Sequence, residues 1–193
     1  MTFKAYIDNI QTQTGMTPED FLAAAEKKGL LKDGVKTQQI VTWLKEEYGL
    51  GQGHAMAIVL IFKNATQHQS STSEAIDKLF KGQKARWREP YDTLLAKIEQ
   101  FGTDVSVDPT DTYISLLGNK KKFGIIQVTG ERMDIGIKLK SQAAGGRFEE
   151  AGAWNAMVTH RVRITDPGQI DAEVVEWLRQ AYEEAIQIKQ KVA

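Results

Sequence analysis

The chain has 193 residues, enough for one large or two small domains. It contains no cysteine, which excludes disulfide staples, thiolate nucleophiles, cysteine zinc sites and iron–sulfur clusters. Its 25 basic residues balance 25 acidic ones, so a uniformly cationic surface is excluded while local patches are not. The first residues lack the apolar run of about 7–15 residues that marks a signal peptide. The longest apolar run, Ala55 to Phe62, is far shorter than the roughly 20 residues needed to cross a bilayer. A cytoplasmic protein with no membrane partner is the expectation.

The first segment reads as four short helices. Phe3, Tyr6, Ile7 and Ile10 recur at helical spacing up to Gly15. Thr17-Pro18-Glu19-Asp20 has a hydroxyl cap, a proline in the first turn and carboxylates at the positive end of the helix dipole, and this second helix runs to Gly29. A third opens at Thr37 and ends at Gly49, and AMAIVLIFK makes the fourth. Between the last two lies GLGQGHA. Its glycines Gly49, Gly51 and Gly53 resemble the turn of a helix-hairpin-helix element, where free N–H groups at a helix start face a phosphate. A plain helix connector fits the same residues, because no Lys or Arg sits in the loop. Asn64 to Ser73 is small and polar without periodicity. It reads as a flexible linker, which divides the chain into a helical domain at 1–64, a linker at 65–73 and a second domain at 74–193.

The second domain begins with a helix from Glu74 to Lys81, followed by a longer one near Pro90 that carries Tyr91, Leu94, Leu95 and Ile98. The period then changes to two. Strands are predicted at Val105–Val107, Thr112–Leu117, Lys122–Val128, Arg132–Leu139 and Met157–Ile164, with turns at Gly118-Asn119 and Thr129-Gly130-Glu131. A closing helix from about Ile170 to Lys189 shows one apolar stripe through Val174, Trp177, Leu178, Ala181, Ala185 and Ile188. Helices, then antiparallel strands, then a long helix define an α+β chain: a small N-terminal helical bundle and a C-terminal antiparallel sheet packed against flanking helices.

Alternation separates the faces of the sheet. Met133, Ile135, Ile137 and Leu139 point one way, as do Val158, His160, Val162 and Ile164 in the last strand. The opposite face then carries Arg132, Lys138, Arg161 and Arg163, with Lys122, Tyr113 and Arg147 at its rim. Thr112 to Arg163 holds nine basic and four acidic residues, whereas Thr165 to Ala193 holds three basic and six acidic. Such a face can hold phosphate or carboxylate through forked guanidinium contacts, or it can be a solvated face kept charged against edge pairing. His160 with Glu149 is the candidate catalytic pair of a second reading, a small-anion or metabolite pocket lined by Arg147 and Tyr113. Spacing fixes no partner for either residue, and alternation sends His160 toward the core. No phosphate-binding P-loop appears, and three histidines without paired spacing exclude an evident metal site. No cofactor is expected.

FKAYIDNI, TGMTPEDF and KGLLKDGVKTQQIVTWLKEEYGLGQGHAMAIV resemble the bacterial N-terminal domain family of unknown function DUF4287. LFKGQKARWREPYDTLLAKI, TYISLLGNKKKFGIIQV, RMDIGIKL, GRFEEAG and THRVRI resemble the DUF5655 domain that often follows it. The resemblance implies an accessory binding module, since members are appended to other domains. The leading expectation is a non-enzymatic protein that binds an anionic partner, nucleic acid foremost, through the basic sheet face and the glycine turn; the alternative partner is a small anionic ligand in the pocket of the second reading.

Overall fold

A computed structural model describes residues 2–32 and 34–187. The chain divides into two compact units, Met1–Ser71 and Thr72–Ala193. Among the described residues no helix is long and apolar enough to cross a membrane.

The first unit is built from α1 (Phe3–Thr14), α2 (Pro18–Lys27), α3 (Thr37–Tyr48) and the first part of α4 (Gln52–Leu79). The start of α2 is the capping box its sequence announces: Asp20 N–H donates to Thr17 Oγ1 at 3.2 Å and Thr17 N–H returns to Asp20 Oδ2 at 2.8 Å. Those bonds hold the Asp20 carboxyl below the usual range. Phe21, Leu44, Leu50, Ile58 and Phe62 are buried together as this unit's core.

The stretch 65–73, expected to be a linker, is helical. No glycine or proline interrupts the sequence from His54 to Lys81, and α4 continues through it. Its hydroxyls are accommodated by back-bonding along the helix: Thr66 Oγ1 donates toward the Phe62 and Lys63 carbonyls, and Ser71 Oγ to the His68 carbonyl. The helix expected at Glu74–Lys81 is therefore the end of α4, which stops before Gly82 in the left-handed region, φ 63°.

The second unit adds α5 (Arg88–Ile98), six strands and α6 (Ala172–Gln187). The strands are β1 (Val105–Pro109), β2 (Ile114–Gly118), β3 (Lys121–Val128), β4 (Met133–Ile137), β5 (Glu149–Glu150) and β6 (His160–Ile164). They form one antiparallel sheet in the order β1-β2-β3-β4-β6-β5, so the chain is α+β. The two-residue β5, which sequence alternation does not reveal, pairs Glu149 with Arg161 and Glu150 with His160. One face of the sheet packs on α5 and α6 through Ile126, Ile135, Ile137 and Val162 against Leu94, Val174 and Leu178. The expected stripe of α6 is buried from Val174 to Ala185, while Ile188 and Lys189 lie outside the described residues.

Two features shape the end of the sheet. Asn119 and Lys120 both take positive φ, 48° and 61°, which matches the twist of a two-residue hairpin turn between β2 and β3. The register then shifts: Leu116 faces Gly124 but Leu117 faces Lys122, so Phe123 is an extra residue in β3. Phe123 turns into the core beside Tyr182, and the parity of the two residues before it is reversed. Gly118 is needed for close approach, since a Cβ there would lie 2.6 Å from the Tyr182 ring. The Tyr182 hydroxyl donates to Asp104, and that carboxylate pushes the phenol up to about 12. Replacing Gly118 by Ala forces ring and strand apart, and a loss of about 1–3 kcal/mol in urea-denaturation stability is expected. An unchanged midpoint would show that the sheet end yields freely.

Candidate functional site

The face opposite the helices is not the open basic surface that counting charges predicts. All five residues of β4 are buried, including Asp134, which is 1% exposed. Its carboxylate accepts from Arg132 Nε at 3.1 and 3.2 Å and from Arg161 Nε at 3.2 Å, with Arg161 Nη2 at 3.0 Å. Arg161 is itself buried, and its guanidinium lies over the Trp154 ring at 4.5 Å. Arg163 pairs with Glu149 at 3.2 Å. Of the four cations expected to donate charge from this face, Arg132, Arg161 and Arg163 are thus engaged by two carboxylates on the same face, Asp134 and Glu149.

The segment after β5 covers what remains. Ile125, Ala151 and Val158 form a small second core with Tyr113 and Trp154 packed on it. Gly136 makes this cover possible, because a Cβ there would lie 2.7 Å from Ile125, 2.9 Å from Val158 and 3.0 Å from Trp154. Sequence reading placed Asp134 and Gly136 on this face but missed their roles. The signal for them was an acidic residue and a glycine in the strand that alternation assigns to an arginine-rich face.

His160 faces the helix side, as alternation requires. It stacks on Phe148 at 4.0 Å, and Phe148 stacks on Trp177 at 4.5 Å with Arg147 over the indole at 5.5 Å. Nδ1 of His160 lies 2.8 Å from Thr159 Oγ1. Burial is the main influence on His160 and pushes its imidazole below the ordinary range, against opposing pulls from Glu150 and the Leu139 carbonyl. Glu150, not Glu149, is its neighbour across the strands, and Glu149 belongs to the opposite face with Arg163. The second expected constellation is therefore not assembled. Arg147 is occupied by Asp171 at 2.6 Å, Glu173 at 2.8 Å and the Gln169 carbonyl at 3.1 Å, and it holds Asp171 below the usual carboxylate range. Tyr113 lies apart from it beside Met157 and Lys122.

The unneutralised charge gathers at the end of the sheet. Lys121, Lys122, Lys138 and Lys140 line a cavity of about 290 Å³, together with Glu184 and Ala185 of α6. Consecutive lysines of a strand reach it from opposite sides, and the extra residue in β3 decides which takes which: Lys121 the helix side, Lys122 the other. Lys121 Nζ donates to the Ala185 carbonyl at 3.1 Å, capping the negative end of α6, while Lys122 Nζ sits 3.2 Å from Met157 Sδ. Lys138 and Lys140 make no ion pair and no side-chain hydrogen bond among the described residues. Glu184 is held by the Lys140 N–H at 3.1 Å and the Ser141 hydroxyl at 3.4 Å. Lys122 and Lys138 were expected from the sequence as binding residues of the sheet face; Lys121 and Lys140 were missed, Lys121 because the bulge that turns it to the helix side cannot be read from alternation. Among the described residues no cluster of three or more His, Asp or Glu could hold a metal ion.

In the first unit, Gly49 caps α3 in the left-handed region, φ 64°, with its N–H on the Leu44 and Lys45 carbonyls. Gly51 precedes α4, and Gly53 lies in its first turn, where a Cβ would come 3.3 Å from the Tyr6 ring. Lys45 Nζ reaches Gln52 Oε1 at 3.5 Å, which sets a cation beside the turn.

The geometry defines a two-unit α+β protein whose second unit carries carboxylate-paired arginines on one sheet face and a lysine-lined cavity at the sheet end. Residues 76–185 match the family described as Domain of unknown function (DUF5655), and the chain belongs to that family. Residues 2–64 match Domain of unknown function (DUF4287). No curated protein and no solved structure matches the chain.

Breaking a buried ion pair leaves an uncompensated charge, at a cost of about 3–5 kcal/mol, whereas an exposed pair contributes about 0–1 kcal/mol. Asp134→Ala is expected to lose several kcal/mol in urea denaturation and Arg163→Ala less than about 1 kcal/mol. Equal losses would contradict the structural assignment of Asp134. For His160 the depressed folded-state value means that its stabilising contribution is complete above the unfolded value of 6.5 and declines as pH falls below it. Proton NMR of the His160 imidazole should show a titration midpoint below the unfolded value of 6.5, and a midpoint at or above that value would refute the burial effect.

Proposed function

We propose that the protein is a non-enzymatic binding module for a small phosphorylated ligand, held at the lysine cavity of its second unit. The observation that carries this reading is the convergence of Lys121, Lys122, Lys138 and Lys140 on one concavity with a single carboxylate, Glu184, among its walls. Lysine ammonium groups suit a multiply charged phosphate as point charges, and a volume near 290 Å³ is at the small end of ligand pockets, which run from roughly 300 to 1,000 Å³. We place the protein in the reducing cytoplasm of a bacterium, in keeping with a sequence free of cysteine.

A second reading, nucleic-acid binding, draws support from the glycine turn between α3 and α4 with Lys45 beside it. Both readings meet in one experiment. Calorimetric titration with inorganic pyrophosphate should give saturable binding that Lys138→Ala/Lys140→Ala weakens at least tenfold. Duplex DNA titrated across a salt series should leave that double variant unaffected if its contacts are at the turn, and Lys45→Ala should then reduce the salt slope by about 0.9. Absence of pyrophosphate binding at low salt would remove the first reading.

A further inference from the structure

A second cavity of about 410 Å³ adjoins the lysines. Lys140 lines both. The polar groups of the second cavity are Lys140, Gln142, Glu150, Thr159 and His160, and the remaining wall is made by Leu139, Gly152 and the small side chains Ala143 and Ala144. The roles of these groups are set by their partners. Thr159 Oγ1 accepts from the Leu139 N–H at 2.9 Å and faces the Ile137 and Leu139 carbonyls at 3.0 Å. The same hydroxyl lies 2.8 Å from His160 Nδ1. Glu150 is exposed and makes no ion pair among the described residues.

Glu150, an acceptor, thus stands in one cavity with Lys140, a donor, and with His160 and Gln142, side chains that carry both kinds of group. A matching ligand body presents hydroxyls, which donate and accept at once. No Phe, Tyr or Trp lines the cavity, so it offers no platform for stacking a planar base. Phe148 and Trp177, the nearest rings in the stack, are spent on His160 and Arg147.

We propose that the two cavities are halves of one site joined at Lys140, and that its ligand is a sugar phosphate, with the phosphate among the lysines and the hydroxyls at Glu150, His160 and Gln142. This rests on the anion-binding reading of the lysine cavity. Taken together, the two volumes fall within the range of roughly 300–1,000 Å³ that ligand sites occupy. The division of labour is chemical: the lysines give affinity for charge, and the second cavity distinguishes what the phosphate is attached to.

The test is calorimetric titration of the full chain with ribose 5-phosphate, free ribose and inorganic phosphate. Ribose 5-phosphate is expected to bind at least tenfold more tightly than inorganic phosphate. Glu150→Ala, an exposed substitution that leaves the core intact, should erase most of that advantage while inorganic phosphate binds as before. Gln142→Ala should reduce the advantage in the same sense. Equal affinity for ribose 5-phosphate and inorganic phosphate, or an advantage that survives both substitutions, would overturn the joined site and leave the lysine cavity as a phosphate site. Failure of all three compounds to bind would overturn the anion-binding reading and this inference with it.

Discussion

The second unit depends on a carboxylate in a place where charge is costly. Asp134 lies in the middle of a strand buried on both sides, and an ionised carboxyl is tolerated there because two guanidinium groups, Arg132 and Arg161, close on it. The pairing sets a sequence of consequences. Arg161, drawn down onto Asp134, presents a flat cation on which Trp154 stacks, and Trp154 brings the segment after β5 across Gly136. The short strand β5 is then in register to place Glu149 on Arg163. A face that is arginine-rich by composition becomes a covered one on which each arginine is paired with a carboxylate.

A similar closure operates on the other side of β6. The Arg147–Trp177–Phe148–His160 stack ties the loop before β5 to α6, and Asp171 and Glu173 anchor its outer end. With arginines engaged on both faces, the lysines at the end of β3 and β4 are the basic groups of the sheet left facing a concavity. Where the protein keeps its positive charge available is thus decided by where it spends its arginines.

Periodicity was enough to read α1 to α3, α5 and α6, the strands other than β5, and the faces on which Ile135, Ile137 and His160 lie, because both periods are local properties of the chain. The capping box at Thr17 was equally local. What escaped were quantities that depend on register or on distant partners. Alternation places Asp134 and Arg161 on one face but does not say that they are diagonal neighbours, so their charges were counted and not cancelled. Spacing fixes no partner for His160 in a reading that names Glu149 beside it, whereas cross-strand pairing sets Glu150 opposite the imidazole. The stretch 65–73 was read from its polar, small residues, although the unbroken absence of glycine and proline around it was the better guide to a continuing helix.

The extra residue at Phe123 has a consequence for how this region can change over time. Substitutions along β3 alter one side chain each, but the handedness of the lysine pair is stored in a residue count. Losing one codon there would keep every lysine in the chain and yet exchange the sides on which Lys121 and Lys122 emerge, freeing the α6 carbonyl that Lys121 caps and dispersing the cluster. Relatives that share the composition of this stretch but not its length would be expected to differ in what they hold there, and strand length at this one position is the trait by which to sort them.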